Sequence, residues 1–200
     1  MEVNVRGRLP KGGIAIVGSR RPPPQAVAFA FALAYGAREP VIAGLAPGID
    51  VAAHRGALAA GVPTVAFVGY GFGATDPPEL MELEDAIVRA GGAVATLLAP
   101  GTPASERSRI ERDRLQAEQA RAVVLVCSEA GGGALFTMQF AKELGRLRFA
   151  VVPPDDSAGE PFWAGNLASL ADGAERLPFD AEAALAILHY RMPPLDYRKR

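Results

Sequence analysis

The sequence alternates short apolar segments, rich in β-branched residues, with longer segments whose composition suits helices. The apolar segments are predicted strands, at residues 13–17, 41–43, 64–68, 93–97, 122–127 and 148–152, with a candidate edge strand at 3–5. Several of them show no alternation of apolar and polar residues, as is typical of parallel strands buried on both faces. Helices are predicted at residues 24–38, 49–60, 78–90, 110–120, 134–144 and 180–190. The pattern predicts an α/β fold with a mostly parallel sheet covered by helices.

Length and composition predict one folded domain over residues 1–200. Half of the residues are hydrophobic and 22% are charged, which excludes intrinsic disorder. No internal repeat or long linker divides the chain. One cysteine and two histidines are too few for a disulfide framework or a Cys-rich metal site, so no structural metal is expected.

The longest uncharged run, residues 56–75, is interrupted by glycines and a proline and cannot form a continuous spanning helix. The apolar run at 14–17 is too short for the core of a signal peptide. These features predict a cytoplasmic protein without a membrane segment. The net charge of −1 predicts no general attraction to nucleic acid, but residues 1–24 carry five basic side chains and one acidic one, so that region is where a nucleic acid would bind.

Three glycine-rich turns follow predicted strands: 18–24, which contains Ser19 and two arginines, 44–50, and 131–134. In open parallel sheets, ligands bind beyond the carboxyl ends of the strands, where backbone N–H groups at helix N-termini attract anions. The first turn alone is equally well explained as an ordinary strand-to-helix connection. Together, if they meet at one edge of the sheet, they predict a site for an anion or a nucleotide.

Other candidate motifs are weaker. No G-x-G-x-x-G or P-loop sequence is present, so routine NAD or ATP binding is not predicted. Most arginines of residues 105–121 have acidic residues four positions away. This spacing is typical of a surface helix with ion pairs along it, which explains most of these arginines without a ligand. Cys127 is interpreted as a core thiol and His54 as a packed or surface histidine, and no Ser/His/Asp order or carboxylate pair indicates catalysis.

Several segments, taken in order, resemble the DNA-processing protein A family, called DprA or Smf. The resemblance spans nearly the whole chain and is most specific in its second and third segments. The matching segments are Val5-Arg6-Gly7, residues 14–20 (IAIVGSR), residues 44–58 (GLAPGIDVAAHRGAL), residues 100–103 (PGTP), residues 132–137 (GGALFT) and residues 141–146 (AKELGR).

The resemblance implies an extended Rossmann-like, doubly wound domain that binds single-stranded DNA. It also implies a homodimer that hands DNA to a RecA-type recombinase during natural transformation, without a cofactor and without enzymatic activity. Carried over residue by residue, the DNA- or phosphate-binding site comprises Gly18, Ser19, Arg20, Gly44, Gly48, Arg112, Arg114, Gly132, Gly133 and Thr137. No N-terminal helical or C-terminal winged-helix domain of the kind found in many members is recognised.

Five positions depart from the family pattern. Pro47 replaces a basic residue, Glu111 and Asp113 replace an arginine and an asparagine, and Gly132 and Ala134 replace serines. The alternative interpretation is therefore a nucleotide-binding protein or a phosphoribohydrolase of the related LOG group. Phe140 stands where the Thr-x-x-Glu motif of that group has its glutamate, which disfavours hydrolysis.

The predicted helix at 24–38 is apolar nearly all round and should be buried on two sides. One of those sides is either a subunit interface or is covered by a loop of the same chain.

Overall fold

The computed structural model describes residues 2–75, 77–154 and 157–192, and the basic tail at 198–200 lies outside them. Within the described residues, one sheet contains eight strands: β1 (Asn4–Gly7), β2 (Ile14–Val17), β3 (Val41–Ala43), β4 (Thr64–Phe67), β5 (Ala93–Thr96), β6 (Ala122–Leu125), β7 (Leu147–Val151) and β8 (Glu175–Leu177). The helices there are α1 (Pro24–Tyr35), α2 (Ile49–Ala59), α3 (Met81–Arg89), α4 (Glu106–Gln119), α5 (Ala134–Glu143), α6 (Ala164–Ala171) and α7 (Ala181–Arg191). None of these helices is both long and apolar enough to cross a membrane.

The strand order across the sheet is β1-β5-β4-β3-β2-β6-β7-β8. Every neighbouring pair is parallel except β1 with β5, so the predicted α/β fold with a mostly parallel sheet is confirmed. The chain runs outward from β2 through β3 and β4 to β5, and then returns to place β6 on the other side of β2. This reversal leaves a crevice at the carboxyl ends of β2 and β6, where ligands bind in doubly wound sheets.

The central strand β2 shows why the sheet has helices on both faces. Its residues are all apolar and buried, and successive side chains point to opposite faces. Ile14 and Ile16 pack in a core with residues of α1, α2 and α7. Ala15 and Val17 pack in a second core with residues of α4 and α5. A strand buried in this way has no polar face, which explains the absence of alternation in its sequence.

Helix α4 begins at Glu106, four residues before the predicted start at Ile110, so that boundary was wrong. A capping box fixes the observed start. The Ser105 hydroxyl accepts a hydrogen bond from the Ser108 N–H at 3.0 Å, and the Ser108 hydroxyl accepts one from the Ser105 N–H at 2.9 Å. The charged first turn lacks apolar periodicity, so the pattern of apolar residues alone did not show where the helix starts.

The C-terminal part of the fold contains two elements that the sequence did not predict, α6 and β8. A 3-10 turn lies at Pro161–Trp163, and α6 begins directly after it. Strand β8 has three residues, Glu-Arg-Leu, of which only Leu177 is fully buried. A short, charged strand at the sheet edge has no apolar signal of its own.

Asn166 of α6 ties this region to the carboxyl ends of β6 and β7. Its fully buried amide donates to the carbonyls of Leu125, Val126 and Val151 at 2.9–3.2 Å and accepts the Ser128 N–H at 2.9 Å. One side chain thus fixes the start of the turn that follows β6.

Replacing Asn166 by alanine should lower the free energy of unfolding by about 3 kcal/mol, because buried backbone groups lose their partners. Chemical denaturation would measure the change. Asn4→Ala is the matched control, since the exposed Asn4 amide donates only to the Leu98 carbonyl and its loss should cost under about 0.5 kcal/mol. Equal stability of the two variants would contradict the role given to Asn166.

Candidate functional site

The turns that follow β2, β3 and β6 meet at one edge of the sheet, because these three strands are neighbours. After β2, the Ser19 N–H donates to the Cys127 carbonyl at 2.8 Å, which joins this turn to the end of the β6 region. A Cβ at Gly18 would lie 2.7 Å from Ile49 and 2.8 Å from the Cys127 carbonyl oxygen. Glycine at position 18 therefore allows the two turns to approach each other.

Gly48 connects the turn after β3 to the turn after β2. It has a positive φ of 87°, and a Cβ there would lie 2.5 Å from the Ser19 carbonyl oxygen. The neighbouring Ile49 N–H donates to that same oxygen at 3.2 Å. Gly48 lines neither of the clefts described below, so the structure gives it a role in bringing the start of α2 against the first turn.

A cleft of about 560 Å³, called here the large cleft, opens where the turns after β2 and β6 meet. Its volume is in the usual range of sites for small ligands. Seven of the ten predicted site residues line it: Gly18, Ser19, Arg20, Arg112, Gly132, Gly133 and Thr137.

A second cleft of about 270 Å³, the small cleft, adjoins the first. The two share Arg20, Ala46, Arg109 and Arg112. Gly44 and Pro47 line the small cleft, so the turn after β3 forms its wall. The three glycine-rich turns therefore line one continuous region made of the two clefts.

The turn after β6 leads into the N-terminus of α5 through three glycines. Gly131 has a positive φ of 72°, and a Cβ at Gly132 would lie 2.4 Å from the Ser128 hydroxyl oxygen. Around Gly133 there is open space. The backbone comes to the cleft surface here, at the positive end of the α5 dipole, and this arrangement favours an anion.

Arg20 and Arg112 differ sharply in environment. Arg20 is exposed and forms no ion pair with any residue in the described part of the chain. Arg112 is buried, and its Nη1 lies 2.9 Å from Asp113 and 3.9 Å from Asp50. The charge of Arg112 is thus balanced within the protein, whereas that of Arg20 is available to a ligand.

Gly44 makes room for the Arg112 guanidinium. A Cβ on Gly44 would lie 1.6 Å from the Arg112 Nη1. The Asp50 carboxylate accepts the N–H groups of Gly44 at 3.0 Å and Ala46 at 3.2 Å. Asp50 therefore braces the turn after β3 from within α2 rather than capping that helix.

Two cleft carboxyls titrate abnormally. Burial raises the pKa of Asp113 to about 6, against the opposing effects of Arg112 and Arg20. Burial also raises the pKa of Asp50, which Arg112 and two backbone N–H groups counteract. A third carboxylate, Glu129, accepts a hydrogen bond from the Ser19 hydroxyl at 2.8 Å.

Arg114 was predicted in the site, but the structure places it outside both clefts. It pairs with Glu118 at 3.0 Å, and its guanidinium lies 5.5 Å from the centre of the Phe140 ring. Positions 112 and 114 differ by about 200° around a helix, so the two arginines point to opposite sides. The ion-pair interpretation of the α4 arginines fits Arg114, and the two-residue spacing alone indicates that it points away from Arg112.

Sequence reasoning did not select Arg109, Asp113, Glu129 or Phe136 for the site, although all four line the large cleft. Phe136 lies inside a segment that carries the family resemblance, between Leu135 and Thr137, but its side chain type gave no signal of anion binding. Arg109 precedes Arg112 by three residues, about one helical turn, and this spacing is the signal that could have found it.

The structure gives Cys127 and His54 packing roles. Both are fully buried, and burial raises the pKa of Cys127 to about 12 and lowers that of His54 to about 3. The His54 Nδ1 lies 2.8 Å from the Thr64 hydroxyl. In the described ranges, no group of three or more His, Cys, Asp and Glu side chains is arranged to hold a metal ion.

Comparisons with known proteins identify the family and the fold of this chain. The family model for DNA recombination-mediator protein A matches residues 5–188. A Mycobacterium tuberculosis protein named as a DNA processing protein DprA is 36% identical over 164 residues, which are 80% of this chain and 41% of that protein. The chain thus spans less than half the length of this relative.

Two solved structures share the fold. DprA from Streptococcus pneumoniae has a TM-score of 0.81 and 26% identity, over 92% of this chain and 65% of that one. DprA from Helicobacter pylori, whose structure is described for its single-stranded DNA binding mode, has a TM-score of 0.77 and 18% identity, over 94% and 87% of the two chains. With the family model matching residues 5–188, the chain belongs to the DNA recombination-mediator protein A family.

Proposed function

We propose that this protein binds single-stranded DNA, with the phosphate backbone at the junction of the large and small clefts. The observation that carries the proposal is Arg20, an exposed arginine with no ion-pair partner in the described chain, shared by both clefts. It stands beside the N-terminus of α5, where backbone N–H groups add to the attraction for an anion. The Helicobacter pylori relative named for single-stranded DNA binding supports the same ligand.

The charges of the two clefts support a backbone path. The small cleft is lined by Arg20, Arg109 and Arg112, of which Arg112 is already paired with Asp113, and by no carboxylate among the described residues. The large cleft has four arginines and four acidic residues in its lining, so its formal charge is zero. A strand would therefore place phosphates over Arg20 toward the small cleft. Contacts of this kind are sequence-independent, because every nucleotide has the same phosphate.

The biological role that we propose is delivery of DNA to a RecA-type recombinase during natural transformation, in the cytoplasm. Family membership supports this role. We also propose a homodimer, because α1 presents an exposed apolar stripe of Val27, Phe31 and Tyr35, with the last two rings stacked 6.3 Å apart.

A smaller ligand, one nucleotide, is the second candidate. The volume of the large cleft and its balanced charges favour this smaller ligand. A single nucleotide needs a cleft of its own size, whereas a DNA strand needs an extended basic surface. Release of free base from nucleoside monophosphates would identify a hydrolase. Phe140, which replaces the motif glutamate, packs beneath Arg114 and supports binding without hydrolysis.

Replacing Arg20 by alanine should weaken oligo-dT binding about 10- to 100-fold, because one charge-assisted phosphate contact is lost. The slope of log affinity against log salt should also flatten by about 0.7, the value for one phosphate on a single strand. Fluorescence anisotropy at several salt concentrations would measure both quantities.

Arg114→Ala is the matched control, since it removes an arginine of the same region that lies outside both clefts, and it should leave the slope unchanged. Pro47→Arg should have the reverse effect of Arg20→Ala, because it adds a cation to the small cleft. If Arg20→Ala leaves affinity and slope unaltered while a nucleoside monophosphate still binds, the DNA proposal is wrong and the smaller ligand takes its place.

Oligo-dT binding should strengthen as the pH falls from 7.5 to 5.5, by about 1 kcal/mol. The Asp113 carboxyl, whose pKa is about 6, is ionised above that pH and neutral below it, so acid removes one negative charge from the large cleft. His54, with a pKa of about 3, stays neutral throughout. Asp113→Asn should abolish this part of the pH dependence.

Asp172→Asn is the control for that titration. Hydrogen bonds from Lys142 and Arg148 hold the pKa of Asp172 below its usual value, and the residue lies outside both clefts. This variant should keep the full pH dependence. An equally steep pH dependence in Asp113→Asn would exclude Asp113 as its source.

Light scattering at micromolar concentration should give the mass of two chains, and Phe31→Glu should give the mass of one. Glutamate at this exposed position of α1 puts a charge in the proposed interface without entering the core. A wild-type mass of one chain would contradict the homodimer.

A further inference from the structure

Phe136 is an aromatic side chain exposed at the wall of the large cleft. It is 42% exposed and belongs to the first turn of α5, directly after the three glycines. Among the large apolar residues that are exposed in the described chain, Phe136 is the one that lines either cleft. Core packing does not explain why an aromatic ring is exposed at a polar ligand site.

The turn that leads to the ring has open space around two of its three glycines. The turn that precedes α5 has no side chains at residues 131–133, and a Cβ added to Gly131 or Gly133 would meet nothing within 4 Å. The Phe136 N–H donates to the Gly133 carbonyl at 3.1 Å, which holds the backbone of the first turn in place. The next residue, Thr137, is fully buried. A planar group can therefore approach the ring from the cleft.

The two clefts share three arginines, but among the described residues acidic side chains line only the large cleft, and this difference suits the two parts of a nucleotide. The small cleft is basic, while the lining of the large cleft, which includes Phe136, is formally neutral. Arg20 stands at the junction. A phosphate held at Arg20 leaves the uncharged part of the nucleotide, its base, on the side of the large cleft.

We infer that Phe136 is a stacking platform for a nucleobase in the large cleft. This inference rests on the proposed function and extends it, because it adds a base subsite to the phosphate site. An aromatic face accepts every base, since each base has its own π-face. Phe136 thus contributes affinity for single strands without sequence preference, and duplex DNA, whose bases are already stacked, is excluded from this subsite.

The test compares Phe136→Ala, Phe136→Leu and Phe136→Tyr with the wild-type chain for binding of oligo-dT. Alanine should weaken binding about 5- to 100-fold, the range for loss of one base–aromatic stack. Leucine should weaken it similarly, because it keeps the apolar volume but has no π-face, whereas tyrosine should retain wild-type affinity. The salt slope should not change in any of them, since no charge is removed.

Two controls separate stacking from other effects. Tyr190→Ala removes an aromatic ring that is 85% exposed on α7, outside both clefts, and should not alter binding. A strand of equal length with abasic sites should bind the wild-type chain and Phe136→Ala with the same affinity. Thermal melting of each variant checks that the fold is retained.

Wild-type affinity for oligo-dT in Phe136→Ala or Phe136→Leu would overturn the stacking platform and leave the phosphate site at Arg20 standing. An equal loss for oligo-dT and for the abasic strand would overturn it too, because the loss would then not involve a base. If the wild-type chain itself binds no oligo-dT, the proposed function fails first. The three results are distinguishable in one set of titrations.

Discussion

The close approach of the turns after β2, β3 and β6 is the constraint on which the site depends. Gly18 and Gly48 leave no room for a Cβ, because the neighbouring backbone and the Ile49 side chain already occupy that space. At Gly44 there is no room for a side chain because the Arg112 guanidinium occupies that space. Glycine at these positions brings helix N-termini and polar side chains of three separate segments to the crossover point of the sheet. A larger residue would push the turns apart and open the site.

Beneath these turns, Arg112, Asp113 and Asp50 form a buried ion cluster, and this cluster gives Arg112 and Arg20 different roles. Arg112 is held by Asp113 and Asp50, and a buried cation with two such partners is too costly to separate from them for a ligand. Its guanidinium therefore fills the space under Gly44 and orients the turn, while the solvated Arg20 remains for contact with an anion. The cluster also carries a carboxyl that titrates near neutral pH, so the electrostatic field of the large cleft depends on acidity.

The architecture could be predicted from the sequence because its central strands are continuous apolar runs, and helix–strand alternation is a strong signal. Helix α6 and strand β8 could not, because a charged three-residue edge strand is stabilised by pairing with β7 rather than by its own composition. The glycine turns were found from their place after strands. Phe136 and Glu129 were missed because their exposure and neighbours exist only after folding. Arg114 was carried over from family resemblance, and its position on α4 turns it away from the clefts.

The two edges of the sheet restrict how this molecule can associate with other chains. Strand β1 is antiparallel to its neighbour, has four mostly exposed residues, and is fastened by Arg6 to Glu84 at 2.7 Å. Strand β8 at the opposite edge is shorter still. Short and charged borders offer few free backbone groups to an incoming strand, so lateral growth of the sheet is disfavoured. Contacts with a second copy or with a protein partner are therefore left to the helical faces, which lie away from the carboxyl edge where DNA is proposed to bind.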